Sequence, residues 1–247
     1  MADESGRFHT IGPSWSERAK LGGLRTVLSP DGCDRRNLFL DGVHLFAANR
    51  VFRLRPGNRV AVDFGCGSGR FIRYFAKRGW NVIGTEITPE MIEAAERDGI
   101  PPNCHLCLTD GVLIPLRDDS VDVVWCCSVL RYSLLVADPV YDKIAAEMFR
   151  VLRPGGLVCN VEMYVDQVPE VFVKDFELAG FVTADMRVIQ RDRAPLERLF
   201  AHRRWPIAWI SWMAGRCAHL RYSFDHPKRQ VPGLRDYLFV WEKPETK

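Results

Sequence analysis

The residues best suited to chemistry in this 247-residue chain stand where short apolar runs end. Asp63-Phe64-Gly65-Cys66-Gly67-Ser68-Gly69 follows one such run and leads into a helical pattern. Glycines at that place let the backbone approach a ligand closely, and the helix start offers unpaired N–H groups. A dinucleotide loop needs G-x-G-x-x-G. Counted from Gly65 the sixth position is Arg70, and counted from Gly67 it is Ile72, so that pattern fails. Asp63 would also repel a diphosphate, whereas it suits an ammonium or sulfonium group. Glu86 comes 23 residues after Asp63, at the end of the next apolar run. A carboxylate there can accept from both hydroxyls of a ribose. Asp110, followed by Gly111, ends a third run and can accept from an exocyclic amine. The three acids together fit a nucleoside with a cationic amino-acid tail.

Such residues need a scaffold that brings strand ends together. Strands are predicted over 60–64, 80–85, 104–108, 121–127, 157–163, 181–189 and 236–242. Helical patterns separate them: 70–78, one opened by Thr88-Pro89-Glu90, one from Asp138-Pro139 to Pro154-Gly155-Gly156, and 167–179. An earlier helix is predicted over 37–52. Strand–helix alternation at this spacing implies an α/β fold. We expect a Rossmann-like, seven-stranded, mostly parallel sheet with helices on both faces. The last strand is expected to be antiparallel, after a helical insertion.

The stretch from Arg59 to Met163, about 105 residues, resembles a class I S-adenosylmethionine-dependent methyltransferase. It carries V-D-F-G-C-G-S-G-R, G-T-E-I-T-P-E-M-I, T-D-G, I-P-L-R-D-D-S-V-D-V-V and E-M-F-R-V-L-R-P-G-G in family order. The likeness is to the branch holding quinone and small-molecule methyltransferases. It implies S-adenosylmethionine as cofactor and S-adenosylhomocysteine as product. It places Asp63 and the loop of Gly65, Cys66, Gly67 and Gly69 at the methionyl part. Glu86 would hold the ribose and Ile87 line the adenine. Asp110 and Gly111 would meet the adenine edge, and Ser128 would border the cofactor.

The acceptor side is less sharply written. Methyl transfer is an in-line displacement, so the protein mainly aligns the two partners, and an alcohol acceptor also needs a base. Tyr132, Glu162 and His44 are the candidates for that base. Arg131 and Tyr132 stand where the family often has aromatic or histidine residues, and Arg131 could pair with an anionic acceptor or with a surface acid. Tyr164, Trp15, Trp205 and Trp209 are further candidate substrate contacts. The expected reaction is methylation of a small molecule, anionic or apolar, with oxygen slightly preferred. A lipid-linked, nucleic-acid or protein acceptor is the alternative, as is a protein that binds the cofactor without turnover.

Residues 1–55 are read as a helical segment that caps the substrate. Residues 56–247 are read as the methyltransferase domain, with an insertion near 190–230. The net charge is only +3, which does not mark the chain as a nucleic-acid binder, and no such partner is expected. That sum conceals an imbalance. Residues 187–229 hold ten Lys/Arg against three Asp/Glu, so the rest of the chain is mildly acidic. Trp205, Trp209 and Trp212 share one helical face there, flanked by His202, Arg203, Arg204, Arg216 and Arg221. This face could pack on the sheet, close as a lid, touch an anionic membrane or stack on single-stranded nucleic acid. The eight cysteines fall mostly in predicted strands and show no zinc-finger pairing, so no metal is expected. No signal sequence or membrane span is evident, and the expected setting is a reducing, cytoplasmic, bacterial one.

Overall fold

The computed structural model describes residues 14–28, 34–131, 140–165, 170–191, 206–224 and 234–245. Three helices come first: α1 (Trp15–Arg18), α2 (Gly23–Val27) and α3 (Asp34–Leu54). Then follow β1 (Val60–Phe64), α4 (Arg70–Ala76), β2 (Asn81–Glu86), α5 (Pro89–Arg97), β3 (Cys104–Leu108) and β4 (Val121–Cys127). The second half holds α6 (Tyr141–Val151), β5 (Leu152–Val165), α7 (Glu170–Leu178), β6 (Val182–Arg191), α8 (Ile207–Phe224) and β7 (Leu234–Glu242). The strands form one seven-stranded sheet in the order β3-β2-β1-β4-β5-β7-β6. Pairings from β3 through β5 are parallel, and β7 runs antiparallel between β5 and β6. The strand order reverses between β1 and β4, which opens a crevice at their carboxyl ends.

Side chains alternate across each strand and build two cores. On β4, Val123 and Trp125 face one core while Val124 and Cys126 face the other. The first core is roofed by α3, α4 and α8 through residues such as Val43, Phe75 and Ile210. The second is roofed by α6 and α7 through Ile144, Met148, Phe172 and Phe176. Helix α3 is therefore part of the main core and runs two residues or more beyond its predicted span at each end.

Two expectations need correction. Pro154-Gly155-Gly156 was expected to end a helix in a turn, yet the extended segment begins at Leu152. Val121 pairs with Leu152 and Val123 with Leu157, so 153–156 bulge out, as suits a proline without an N–H. The insertion does form a helix, and of the alternatives for its aromatic face, packing on the sheet fails for Trp209 and Trp212. Its buried stripe is Ile210, Ala214, Cys217 and Ala218, while Trp209 and Trp212 face outward. Small residues win the inner face because α3 and α8 approach closely. A Cβ on Gly42 of α3 would collide with the Ser211 carbonyl and come within 2.8 Å of the Ala214 Cβ.

Gly42→Ala should therefore destabilise the fold although alanine favours helix. Overpacking costs about 1–3 kcal/mol, against roughly 1 kcal/mol gained in helix propensity. The thermal midpoint is expected to fall by a few degrees. An equal or higher midpoint would show that the two helices separate freely.

Candidate active site

The loop after β1 is shaped by backbone that other residues adopt at a cost. Gly65, Gly67 and Gly69 have φ of 69°, 53° and 77°, in the left-handed region that glycine tolerates. The loop then enters α4 with Gly69 as its N-cap, leaving free N–H groups toward the crevice. Ser128, the first residue after β4, also has a positive φ, of 59°. Its N–H donates to the Val161 carbonyl at 2.8 Å, which holds this unfavourable turn in place.

A cavity opens at these strand ends. Phe64, Gly65 and Gly67 line it from the first loop, and Glu86 and Ile87 from the end of β2. Gly111 lines it after β3, and Cys127 and Ser128 after β4. Trp15 of α1 and Val27 of α2 cover it. The buried Arg18 ties these two short helices together, its guanidinium donating to the carbonyls of Thr26 and Leu28. The cavity beneath them has a volume of about 100 Å³ and stays partly open.

Glu86 is buried and satisfied by backbone. Its Oε1 accepts from the N–H of Ile87 at 2.8 Å and of Thr88 at 3.0 Å, and its Oε2 from Gly67 at 2.9 Å. One carboxylate thus fixes the end of β2 to the glycine loop. Burial raises its pKa, and the three donors oppose that rise. Asp63 lies just beneath the loop and does not line the cavity. Its Oδ2 is buried with no hydrogen-bond partner. Burial pushes its carboxyl up to about 7, opposed by Arg70 and reinforced by the Glu86 charge. An unpaired buried oxygen of this kind is what a ligand cation would relieve. Cys66 and Gly69 support the loop without lining the cavity.

Asp110 is placed otherwise than expected. It is exposed, and its Oδ1 accepts from the N–H groups of Val112 at 3.0 Å and Leu113 at 2.8 Å. Those donors hold its pKa down, and the acid caps a turn. Its neighbours Thr109 and Gly111 line the cavity instead.

The acceptor candidates divide. His44 is buried beside the cavity wall, with Nδ1 3.5 Å from the Cys127 Sγ and 3.3 Å from Arg70 Nη2. Its Nε2 lies 3.9 Å from Asp236. Burial pulls its pKa down, but Cys127 and Asp236 outweigh this and raise it to about 10. Arg70 also binds Asp41 at 2.7 Å, which makes its guanidinium the hub of this cluster. Glu162 is fully buried and accepts from the Arg131 N–H at 3.2 Å and the Met163 N–H at 3.3 Å. Burial pushes it up to about 7, with the Arg131 charge opposing. Arg131 Nε is 3.8 Å from Glu162, so its charge is engaged within the protein. Tyr164 lies on β5 opposite Arg235. Trp209 is exposed and far down the outer face of α8, away from the cavity lining. Tyr132 and Trp205 lie outside the described residues. Sequence reading missed Arg70, Cys127 and Asp236; the parity of Cys127 with Trp125 was the available signal. Among the described residues, no group of three or more His, Cys, Asp or Glu is placed to hold a metal ion.

A glycine loop after the first strand, an acid ending the second and a sheet in this order define the class I S-adenosylmethionine-dependent methyltransferase fold. Residues 62–160 match the family described as "Methyltransferase domain". A malonyl-[acyl-carrier protein] O-methyltransferase of Enterobacter lignolyticus is 28% identical over 127 residues, covering 51% of this chain and 48% of that protein. The chain thus spans about half the length of the curated relatives it matches. A TehB-like S-adenosylmethionine-dependent methyltransferase from Corynebacterium glutamicum superposes with a TM-score of 0.56 at 17% identity, covering 80% of this chain and 87% of that one. The [4+2]-cyclase SpnF gives 0.56 at 18% identity, covering 96% and 100%.

Proposed function

We propose that the protein transfers a methyl group from S-adenosylmethionine to a small-molecule acceptor, with oxygen the favoured atom. The observation that carries the cofactor part is the pairing of Asp63 and Glu86 across the glycine loop. Asp63 offers an unsatisfied buried carboxylate oxygen, and Glu86 Oε2, which takes one backbone donor where Oε1 takes two, keeps a lone pair for a further donor. Asp63 and the loop N–H groups would hold the methionyl end, Glu86 the ribose hydroxyls, and Ile87 and Gly111 the base. When bound, the cofactor supplies an already activated methyl group. The preference for oxygen is supported by the relative named as an O-methyltransferase.

The chain's own part is to bind, orient and exclude water. Trp15 of α1 and Val27 of α2 line the cavity, so these two helices are placed to cover the donor once ligands are bound. His44, 3.3 Å from Arg70 and 3.5 Å from the Cys127 sulfur, helps to position the wall behind the cavity. Glu162 pins the loop after β4 to β5 and orients Arg131 near the acceptor side. A cyclase shares this fold. The test is therefore release of S-adenosylhomocysteine with a panel of hydroxyl, amine and carbon acceptors. Acceptor-dependent release is expected. Tight cofactor binding with no release for any acceptor class would favour the non-methylating reading.

A further inference from the structure

The outer face of α8 is unused by methyl transfer. One side of this helix is buried against α3 through Ile210, Ala214, Cys217 and Ala218. The opposite side mixes exposed Arg216, His219 and Ser223 with large apolar residues: Trp209, Trp212 and Leu220 are 55%, 56% and 57% exposed. A helix packed on one face normally turns a polar face to water. Beside it a groove of about 890 Å³ runs between α3, α4 and α8. Phe52, Tyr74 and Trp212 line it, together with Arg53, Arg78 and Arg216. No Asp or Glu is among its lining residues, and none of these three arginines forms an ion pair with a described carboxylate. Arg78 lies over the rings of Phe52 and Tyr74, at 4.7 and 3.9 Å, and Arg216 over Trp212 at 5.1 Å.

Arg78 spends its donors on the Tyr74 carbonyl and hydroxyl and on Asn49 Oδ1, whereas Arg53 and the ring-stacked Arg216, with no described counter-charge, keep theirs for an outside anion. Indoles favour the boundary between hydrocarbon and water, and arginines there pair with lipid phosphates. The geometry points to peripheral docking of the α3/α8 face on an anionic lipid bilayer. Trp209 and Trp212 enter the headgroup layer while Arg53 and Arg216 pair with phosphates. No helix of the described residues is long and apolar enough to cross a membrane, so the contact lies in the surface plane. Helix α3 links the two regions, giving His44 to the cavity side and Arg53 to the groove.

The test is co-sedimentation of the intact chain with phosphatidylcholine vesicles, with and without phosphatidylglycerol. Binding to the anionic vesicles should be at least about tenfold tighter and should weaken with salt. The exposed pair Trp209→Ala/Trp212→Ala should lose about tenfold with an unchanged circular dichroism spectrum, since neither ring is buried. Each of Arg53→Gln and Arg216→Gln should lose about fivefold. No binding to anionic vesicles, equal binding to neutral ones, or a tryptophan variant that binds like wild type would overturn the assignment. Retention on immobilised polyglutamate without vesicle binding would assign the face to an acidic protein and overturn it equally. None of these readouts depends on methyl transfer, so the result stands apart from the catalytic reading.

Discussion

Binding of S-adenosylmethionine should weaken as pH falls below about 7, and Asp63→Asn should bind weakly at every pH with that slope removed. The sign follows from which protonation state the ligand favours. Burial lifts the Asp63 carboxyl to about 7, against an ordinary value of 3.8. A sulfonium or ammonium above the loop stabilises the ionised form, so binding below that pKa must first remove a proton. Each pH unit further down then costs up to tenfold, and binding at about pH 5 should be on the order of 100-fold weaker than at about pH 8. Calorimetry in buffers of different ionisation enthalpy would detect the released proton directly. A flat profile between those limits would show that the cation lies too far from Asp63 to feel its charge.

The same carboxyl has an opposite effect on the unliganded fold. Asp63 and Glu162 hold protons up to about 7 when folded, whereas their ordinary values are 3.8 and 4.5. Between those limits the folded chain binds more protons than the unfolded one. The stability they contribute is complete below about pH 4 and is lost as pH rises through about 7. Ligand binding should reverse that trend through Asp63 alone, because Glu162 has its own partners in Arg131 and Met163.

This division also marks what could be read in the sequence. Asp63 and Glu86 end apolar runs, and in a parallel sheet strand ends converge on one crevice whatever the details of packing. Their site was therefore legible from order alone. Asp110 ends a run equally well, but its carboxylate found two backbone donors in the next three residues and turned outward. Local satisfaction of that kind leaves little trace in spacing. The cluster of His44, Arg70, Cys127 and Asp236 was beyond reach for a different reason. Its members come from α3, α4, β4 and β7, and their meeting depends on where α3 lands. That position is set by the close crossing of Gly42 with Ser211 and Ala214, which neither periodicity nor composition reveals. The tryptophans of α8 misled by the same route: their 3.6-residue spacing was right, but the small residues opposite them fit the crossing better.

Glu86→Gln should be nearly as damaging to cofactor binding as Glu86→Ala, although glutamine is almost the same shape. A carboxylate offers acceptors on both oxygens, and here both are used: Oε1 by Ile87 and Thr88, Oε2 by Gly67. An amide can satisfy only one side. Placed with its oxygen toward Ile87 and Thr88, it sets an NH2 against the Gly67 N–H, donor facing donor. The glycine loop must then move or leave that N–H unpaired, and a buried unpaired donor costs about 1–3 kcal/mol. The amide also lacks the charge that strengthens hydrogen bonds from a ribose diol, worth about 1.5–3 kcal/mol when the acceptor is ionised. The two losses together place the expected weakening at roughly 100-fold or more, with the alanine variant at or somewhat beyond it. Adenosine, which has the ribose but no cationic tail, separates the two contributions. It should lose affinity in both Glu86 variants but little in Asp63→Asn, whose defect should appear only with ligands carrying the charged tail. A glutamine variant that binds adenosine like wild type would mean that Glu86 serves the loop and not the ribose.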